Sequence, residues 1–211
     1  MTDSHSVLIG MVVDRSGSMS ACRDEMQDGL EKFFEKQRGI EGKDVKATLA
    51  QFDTEYELVY PPTPIKDVPT YRLVPRGSTA LLDAMGRFIT EVGADLAKMK
   101  ESRRPSKVLI VVVTDGMENA SREWTREGAV RELVQQQQRD YNWEFVFLGA
   151  NMDAVREARN FGIHARSAMT FDTANSGVTM DNLARNVVSY AAAAGPSSYN
   201  WSDDDRKSAM Q

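Results

Sequence analysis

The chain is poor in the side chains that build disulfides and soft-metal sites. One cysteine, Cys22, and two histidines, His5 and His164, stand among 211 residues. A single thiol closes no internal disulfide, and these three side chains do not make up a usual structural zinc site. Long apolar runs are also missing. The longest fall far short of a membrane span, so no membrane partner is expected. The opening MTDSHSVLIGMVVD has no basic segment ahead of its apolar run and no small-residue cleavage site. It therefore reads as an ordinary first strand of a cytoplasmic protein, not a signal peptide. Excess positive charge is lacking too: 31 acidic against 26 basic residues leave a net charge of −5. That balance speaks against a general polyanion binder, nucleic acid included. The phosphate and nucleophile signatures GxxxxGK[ST], GxGxxG and GxSxG are absent as well. Gly42-Lys43 is followed by Asp44, with no strand ahead of it, and forms no phosphate loop.

What is present is a regular alternation of short apolar runs and amphipathic segments. Val7 to Val13 is apolar throughout, with Gly10 inside it, and predicts a buried strand. A helix of about four or five turns follows, with Met26, Leu30, Phe33 and Phe34 on one face. VKATLAQFD (45–53) and YELVY (56–60) are separated by two residues, which favours a hairpin and an antiparallel partner. The next segment, PPTPIKDVPTYRLVPRG, holds five of the seven prolines and reads as an ordered connector. Leu82, Met85, Ile89, Val92, Leu96 and Met99 mark a second long helix, from Ala80 to about Lys100. SKVLIVVVTDG is apolar on both faces, as a central parallel strand must be. Then come a helix from about Trp124 to Arg139, a strand at 143–150, a short helix closed by Gly162, a weaker strand in ARSAMTF and a last helix ending at Gly195. This order predicts a single α/β domain over residues 1–195. Its sheet is doubly wound, Rossmann-like and mostly parallel, with one antiparallel edge strand. Residues 196–211 have loop composition and are expected to form a mobile tail.

Two of the apolar strands end in aspartate: IGMVVD in Asp14 and LIVVVTD in Asp115. Open α/β sheets bind ligands beyond the carboxyl ends of their strands, where the strand order reverses. If those two strands are neighbours, Asp14 and Asp115 face each other across that crevice. At about 5 Å and an effective dielectric near 20 they would repel by roughly 3 kcal/mol, and a cation would turn that repulsion into attraction. Alternation along an extended turn lets Asp14, Ser16 and Ser18 point to one side, and Thr79 adds a hydroxyl at the start of the second helix. All five are oxygen donors. That chemistry suits a hard divalent cation, Mg²⁺ first, then Mn²⁺ or Ca²⁺.

Asp14-x-Ser16-x-Ser18, then Thr79, then Thr114-Asp115-Gly116, in this order and strand context, resembles the von Willebrand factor type A domain and its metal-ion-dependent adhesion site. DRSGSM and GSTALLDA are closest in flavour to small bacterial and phage-type intracellular members. The resemblance runs from about Val7 to Ala194. It implies a six-stranded sheet with the hairpin strand at one edge, and a divalent ion at the top of the sheet. Asp14, Ser16, Ser18, Thr79 and Asp115 match the metal positions. It further implies a protein–protein interaction module, generally not an enzyme, whose ion captures an acidic side chain of a partner protein. Intracellular members often serve as adaptors.

Other readings fit some of the same residues. Asp14 after a first strand also suggests a Mg²⁺-dependent phosphoesterase of the haloacid dehalogenase type, but Ser16 stands where that chemistry wants a second aspartate. A structural or assembly subunit, its ion site closed by a neighbouring chain, fits as well, and the sequence leaves the oligomeric state open. Arg15 and Met19 flank the motif and are expected at the rim. Glu118 and Asn119 are rim candidates, and Asp83 is a candidate acceptor for a metal-bound water or serine. The acidic run Asp203 to Asp205 offers carboxylates that such a metal site accepts.

Overall fold

The structure, a computed structural model, describes residues 2–195 and 197–211. Six strands form one sheet: β1 (Asp3–Asp14), β2 (Asp44–Phe52), β3 (Tyr56–Pro64), β4 (Pro105–Thr114), β5 (Glu144–Ala150) and β6 (Ala168–Phe171). Their order is β3-β2-β1-β4-β5-β6. All pairs are parallel except β2 with β3, the hairpin edge expected from the two-residue link. β1 and β4 are neighbours in register, Val13 opposite Val113, so the chain order reverses between them.

Among the described residues, six α-helices pack around the sheet: α1 (Arg23–Arg38), α2 (Leu81–Lys98), α3 (Ala129–Tyr141), α4 (Ala154–Asn160), α5 (Ser176–Ala192) and α6 (Asp203–Ser208). Side chains of β1 alternate between two apolar layers. Val7, Ile9, Met11 and Val13 pack with Met26, Leu30 and Phe33 of α1 and Met180, Leu183 and Val187 of α5. Leu8 and Val12 pack with Met85, Phe88, Ile89 and Val92 of α2 and Val130 and Val134 of α3. β4 feeds both layers, which is why its sequence shows no polar alternation. Among the described residues, no helix is long and apolar enough to cross a membrane.

Three local expectations are corrected. β3 runs on through Pro61, Pro62 and Pro64 instead of yielding to a connector at 60. Those prolines sit on the sheet's outer strand, where an absent N–H costs least. The third helix starts at Ala129 and not near Trp124. Ahead of it, Asp83 accepts the backbone N–H groups of Arg122, Glu123 and Trp124, and Glu118 accepts those of Ala120 and Ser121. Carboxylates that take up those donors offer the backbone an alternative to the helix. Finally, the segment expected to be a tail is packed. Tyr199 and Trp201 are buried, Trp201 Nε1 donates to Ser167 O at 3.1 Å, and α6 opens with a capping box between Ser202 and Asp205. The segment covers the short edge strand β6 (Arg206 donates to Ala168 O), an edge that would otherwise present unpaired carbonyls. Pro196, its first residue, lies outside the described residues.

Candidate metal centre

Three loops meet above the junction of β1 and β4. The first leaves β1 at Asp14, which is fully buried. Its Oδ1 accepts the Ser16 N–H at 2.6 Å, and its Oδ2 accepts the Thr114 hydroxyl at 2.6 Å. The turn that follows, Gly17–Cys22, is a 3₁₀ segment, and it exposes Ser18 while burying Met19 and Cys22. Ser16 Oγ and Ser18 Oγ are 3.1 Å apart. Ser18 Oγ then donates to Asp115 Oδ1 at 2.7 Å, joining the β1 loop to the β4 loop across 97 residues.

Thr79 arrives from the third loop, just ahead of α2, and is 3% exposed. Its N–H donates to Asn119 Oδ1 at 2.9 Å, and its carbonyl accepts the Asn119 N–H at 3.0 Å. Its Oγ1 would lie 2.8 Å from a Cβ placed on Gly116, so the hydroxyl reaches the Asp115-Gly116 corner only because residue 116 has no side chain. The five oxygen-bearing residues expected from the sequence are thus placed around one crevice. Among the described residues, no group of three or more His, Cys, Asp or Glu side chains is placed to hold a metal. Any ion here would rest on two carboxylates and three hydroxyls.

Burial pushes the Asp14 carboxyl up to about 6, against the Thr114 and Ser16 hydrogen bonds that pull it down, and the charge of Asp115 adds to the rise. Asp115 is also raised, again by burial first, with the Ser18 hydroxyl opposing. Two carboxylates disfavoured as anions, among hydroxyls and, among the described residues, with no cationic side chain bonded to either, fit a hard cation.

Several neighbours do not stand where the sequence reading put them. Arg15 is turned away from the rim: it is buried, and its Nε donates to Asp53 at 2.9 Å and one terminal nitrogen to Glu57 at 2.8 Å. Met19 is in the core. Asp83 faces backbone N–H groups, not a serine. Glu118 accepts the Leu82 N–H at 2.8 Å, so Glu118 and Asp83 form a reciprocal clasp between the 118–124 loop and the start of α2. Residues the sequence reading passed over are Thr114, as a partner of Asp14, and Asp53. Asp53 carried a signal: it is a third aspartate following an apolar strand.

The clasp is completed by Trp124 lying over Gly86, where an added Cβ would meet Trp124 Cδ2 at 2.1 Å. Gly86→Ala is therefore expected to lift the indole off α2. Trp124 is only half-buried and can swing outward, so the cost should be near the low end for overpacking, about 1 kcal/mol. Of the three tryptophans, Trp143 and Trp201 are buried, so a red-shifted fluorescence component would report Trp124. Alanine's better helix propensity, about 1 kcal/mol, can hide that cost in the midpoint, so the spectrum decides: an unshifted spectrum would show that the contact does not hold the loop.

No family model matches the sequence, and a search of curated proteins finds no match. Solved structures do match. The von Willebrand factor domain of the type V pili tip protein Mfa5 from Porphyromonas gingivalis aligns over 92% of this chain and 99% of its own, with a TM-score of 0.64 and 12% identity. A von Willebrand factor type A protein from Catenulispora acidiphila aligns over 86% of this chain and 42% of its own, with a TM-score of 0.59 and 16% identity. The pilus adhesin SpaC from Lactobacillus rhamnosus GG, in its open conformation, aligns over 86% and 30%, with a TM-score of 0.62 and 14% identity. The chain spans nearly all of the first and less than half of the other two. With its six-stranded sheet, single antiparallel edge and helices on both faces, the chain has the fold of von Willebrand factor type A domains.

Proposed function

We propose that the chain is a metal-dependent protein-binding module. The observation that carries this is the convergence of Asp14, Ser16 and Ser18 with Asp115, tied by the Ser18 to Asp115 hydrogen bond, at the point where strand order reverses. Thr79 is delivered to the same corner by a separate loop. Asp14, Ser16, Ser18, Thr79 and Asp115 would hold the ion, Mg²⁺ or Mn²⁺ by their chemistry. Bound there, the ion supplies a Lewis acid that can accept a carboxylate oxygen from an acidic side chain of a partner protein. The chain's own residues bury Asp14, Ser16 and Thr79, leave Asp115 partly covered, and hold the exposed Ser18 to it by a hydrogen bond. Ser16 stands where phosphoesterase chemistry of the haloacid dehalogenase type wants its second aspartate, and we read the module as non-enzymatic.

An assembly role is the second reading, favoured by the pilus proteins among the fold's neighbours. In that case the ion captures a carboxylate of a neighbouring subunit. Thermal unfolding with Mg²⁺ or Mn²⁺ against EDTA tests the ion. At ten times the dissociation constant binding adds about 1.4 kcal/mol. In a domain of this size that raises the midpoint by roughly 3 to 6 °C. No shift at millimolar metal would sink the reading. Light scattering with and without metal separates self-assembly from capture of another protein.

A further inference from the structure

Beneath the candidate ion site lies a charged network that includes none of the proposed ligands. Its hub is Asp53, just past the end of β2, with its side chain 3% exposed. Oδ2 accepts from Arg15 Nε at 2.9 Å and from Arg76 Nε at 2.6 Å, while Oδ1 accepts the Glu55 N–H at 2.7 Å. The backbone ties the same segments together. Arg15 N donates to Phe52 O at 2.7 Å, Arg76 N to Arg15 O at 2.7 Å, Ala80 N to Asp53 O at 2.9 Å and Gly17 N to Gly77 O at 3.1 Å. Gly77 has φ +68°, and a Cβ there would meet Thr54 Oγ1 at 3.0 Å and Asp53 Cβ at 3.2 Å, so the 76–80 loop lies flat on the hub.

Sheet pairing does not set the spacing of these loops. β1 and β2 are held in register up to Asp14 opposite Phe52, where their ladder ends, and past it Arg15 and Asp53 are joined by their side chains. Arg15 sits between Asp14 and Ser16, whereas Arg76 and Ala80 flank Thr79. One buried carboxylate therefore binds both segments that must deliver oxygen atoms to one point. Arg15 has a second acid partner, Glu57, on the solvent side. Arg76, half-exposed, also reaches Glu55.

We propose that Asp53, through Arg15 and Arg76, is the positioning residue of the ion site, setting the separation between the Asp14-x-Ser16-x-Ser18 turn and Thr79. The proposal rests on the metal-binding reading above. Groups hydrogen-bonded directly to metal ligands are typically worth about 10-fold to 100-fold in metal affinity; Asp53 acts through Arg15 and Arg76, so about 10-fold is expected.

The test uses the full chain and Mn²⁺ alone, with free Mn²⁺ read by electron paramagnetic resonance and amide exchange measured on the metal-free protein. Asp53→Asn is expected to weaken Mn²⁺ binding by about 10-fold. It should also speed exchange at the Gly17 and Ala80 amides while leaving Val12 protected. Arg76→Gln keeps the buried Arg15–Asp53 pair, folds as the parent does, and should show a smaller loss in the same direction. Two controls separate positioning from stability. Asp95→Asn removes a surface carboxylate near the end of α2, outside the network. Val187→Ala destabilises the core from within α5, about three turns from its start. Both should leave Mn²⁺ affinity within about twofold, well inside the change expected of Asp53→Asn. Asp53→Asn binding Mn²⁺ as the parent does, or losing no more affinity than Val187→Ala, would overturn the proposal and leave the ion site standing. A parent protein that binds no Mn²⁺ would overturn both. Unchanged exchange at Gly17 and Ala80 would overturn the positioning role whatever the metal does.

Discussion

Gly10→Ala is expected to lower the midpoint of thermal unfolding by about 4 to 10 °C. Gly10 lies in β1, the strand flanked by β2 and β4 at the centre of the sheet. An added Cβ would stand 2.7 Å from Ile110 Cδ1 and 2.8 Å from Phe88 Cε1, closer than packed carbons tolerate. Both neighbours are fully buried, so neither can swing into solvent as Trp124 can. Overpacking of this kind costs about 3 kcal/mol, at the upper end of the usual range. The lower freedom of alanine in the unfolded chain returns about 0.4 to 1 kcal/mol, which does not close the gap. In a domain of this length each kcal/mol moves the midpoint by about 2 to 4 °C. The double variant Gly10→Ala, Phe88→Leu should recover part of the loss, with a coupling of about 1 kcal/mol. Strictly additive losses would show that the close approach of α2 to β1 is not what the glycine permits. The contact matters to the site as well, because β1 carries Asp14 and α2 carries the loop that ends in Thr79.

Much of this arrangement was legible in the sequence, for identifiable reasons. β4 is apolar on both faces because helices cover both faces, and α2 shows an almost unbroken stripe because it lies flat on the sheet. The two-residue link between β2 and β3 leaves no room for a crossover, so an antiparallel edge followed. Asp14 and Asp115 stood out because each follows an apolar strand, Thr79 because it lies just ahead of α2, and Ser16 and Ser18 only by their spacing from Asp14.

Where the reading failed, a distant partner decides the local structure. The helix expected from about Trp124 starts only at Ala129, because Asp83 and Glu118 hold the segment ahead of it by the N–H groups of residues 120–124. Tyr199 and Trp201 look like loop residues until the short edge of β6 is there to be covered. Arg15 was within reach of simple reasoning. The alternation that turns Asp14 and Ser16 to one side sends residue 15 to the other, toward β2 and Asp53, not to the rim. Met19 escapes that rule because the 3₁₀ turn replaces extended backbone after Ser16.

Asp14→Asn is expected to abolish the thermal response to Mg²⁺ or Mn²⁺ and yet to make the metal-free protein at pH 7 at least as stable as its parent. The structure can accept the amide. The carbonyl oxygen still takes the Ser16 N–H, and the Thr114 hydroxyl, 3.0 Å from Gly116 O, can donate there while accepting from the new NH₂. What disappears is a buried carboxylate whose folded value is about 6 against an ordinary 3.8. A raised carboxyl means that the folded state takes up its proton first, so stability rises as pH falls through 6 toward 3.8. For Asp14 that gain is about 1 kcal/mol between pH 7 and pH 5, or about 2 to 4 °C, and it should be missing from the variant. Glu144, also raised, adds the same slope to both proteins, and Asp115, raised mainly by its own burial, adds a slope that the loss of the Asp14 charge reduces slightly in the variant; Asp53, Asp83 and Asp205, all lowered, act only at more acid pH. Two unfolding series, one in EDTA and one in saturating metal, should therefore cross. The variant is the more stable chain in EDTA, and the parent is the more stable chain with metal. A variant weaker by the same amount in both series would mean that Asp14 serves the fold alone, as a cap for the Ser16 turn. Crossing would mean that the crevice carries a carboxylate at a cost to folding, and that a bound cation offsets it.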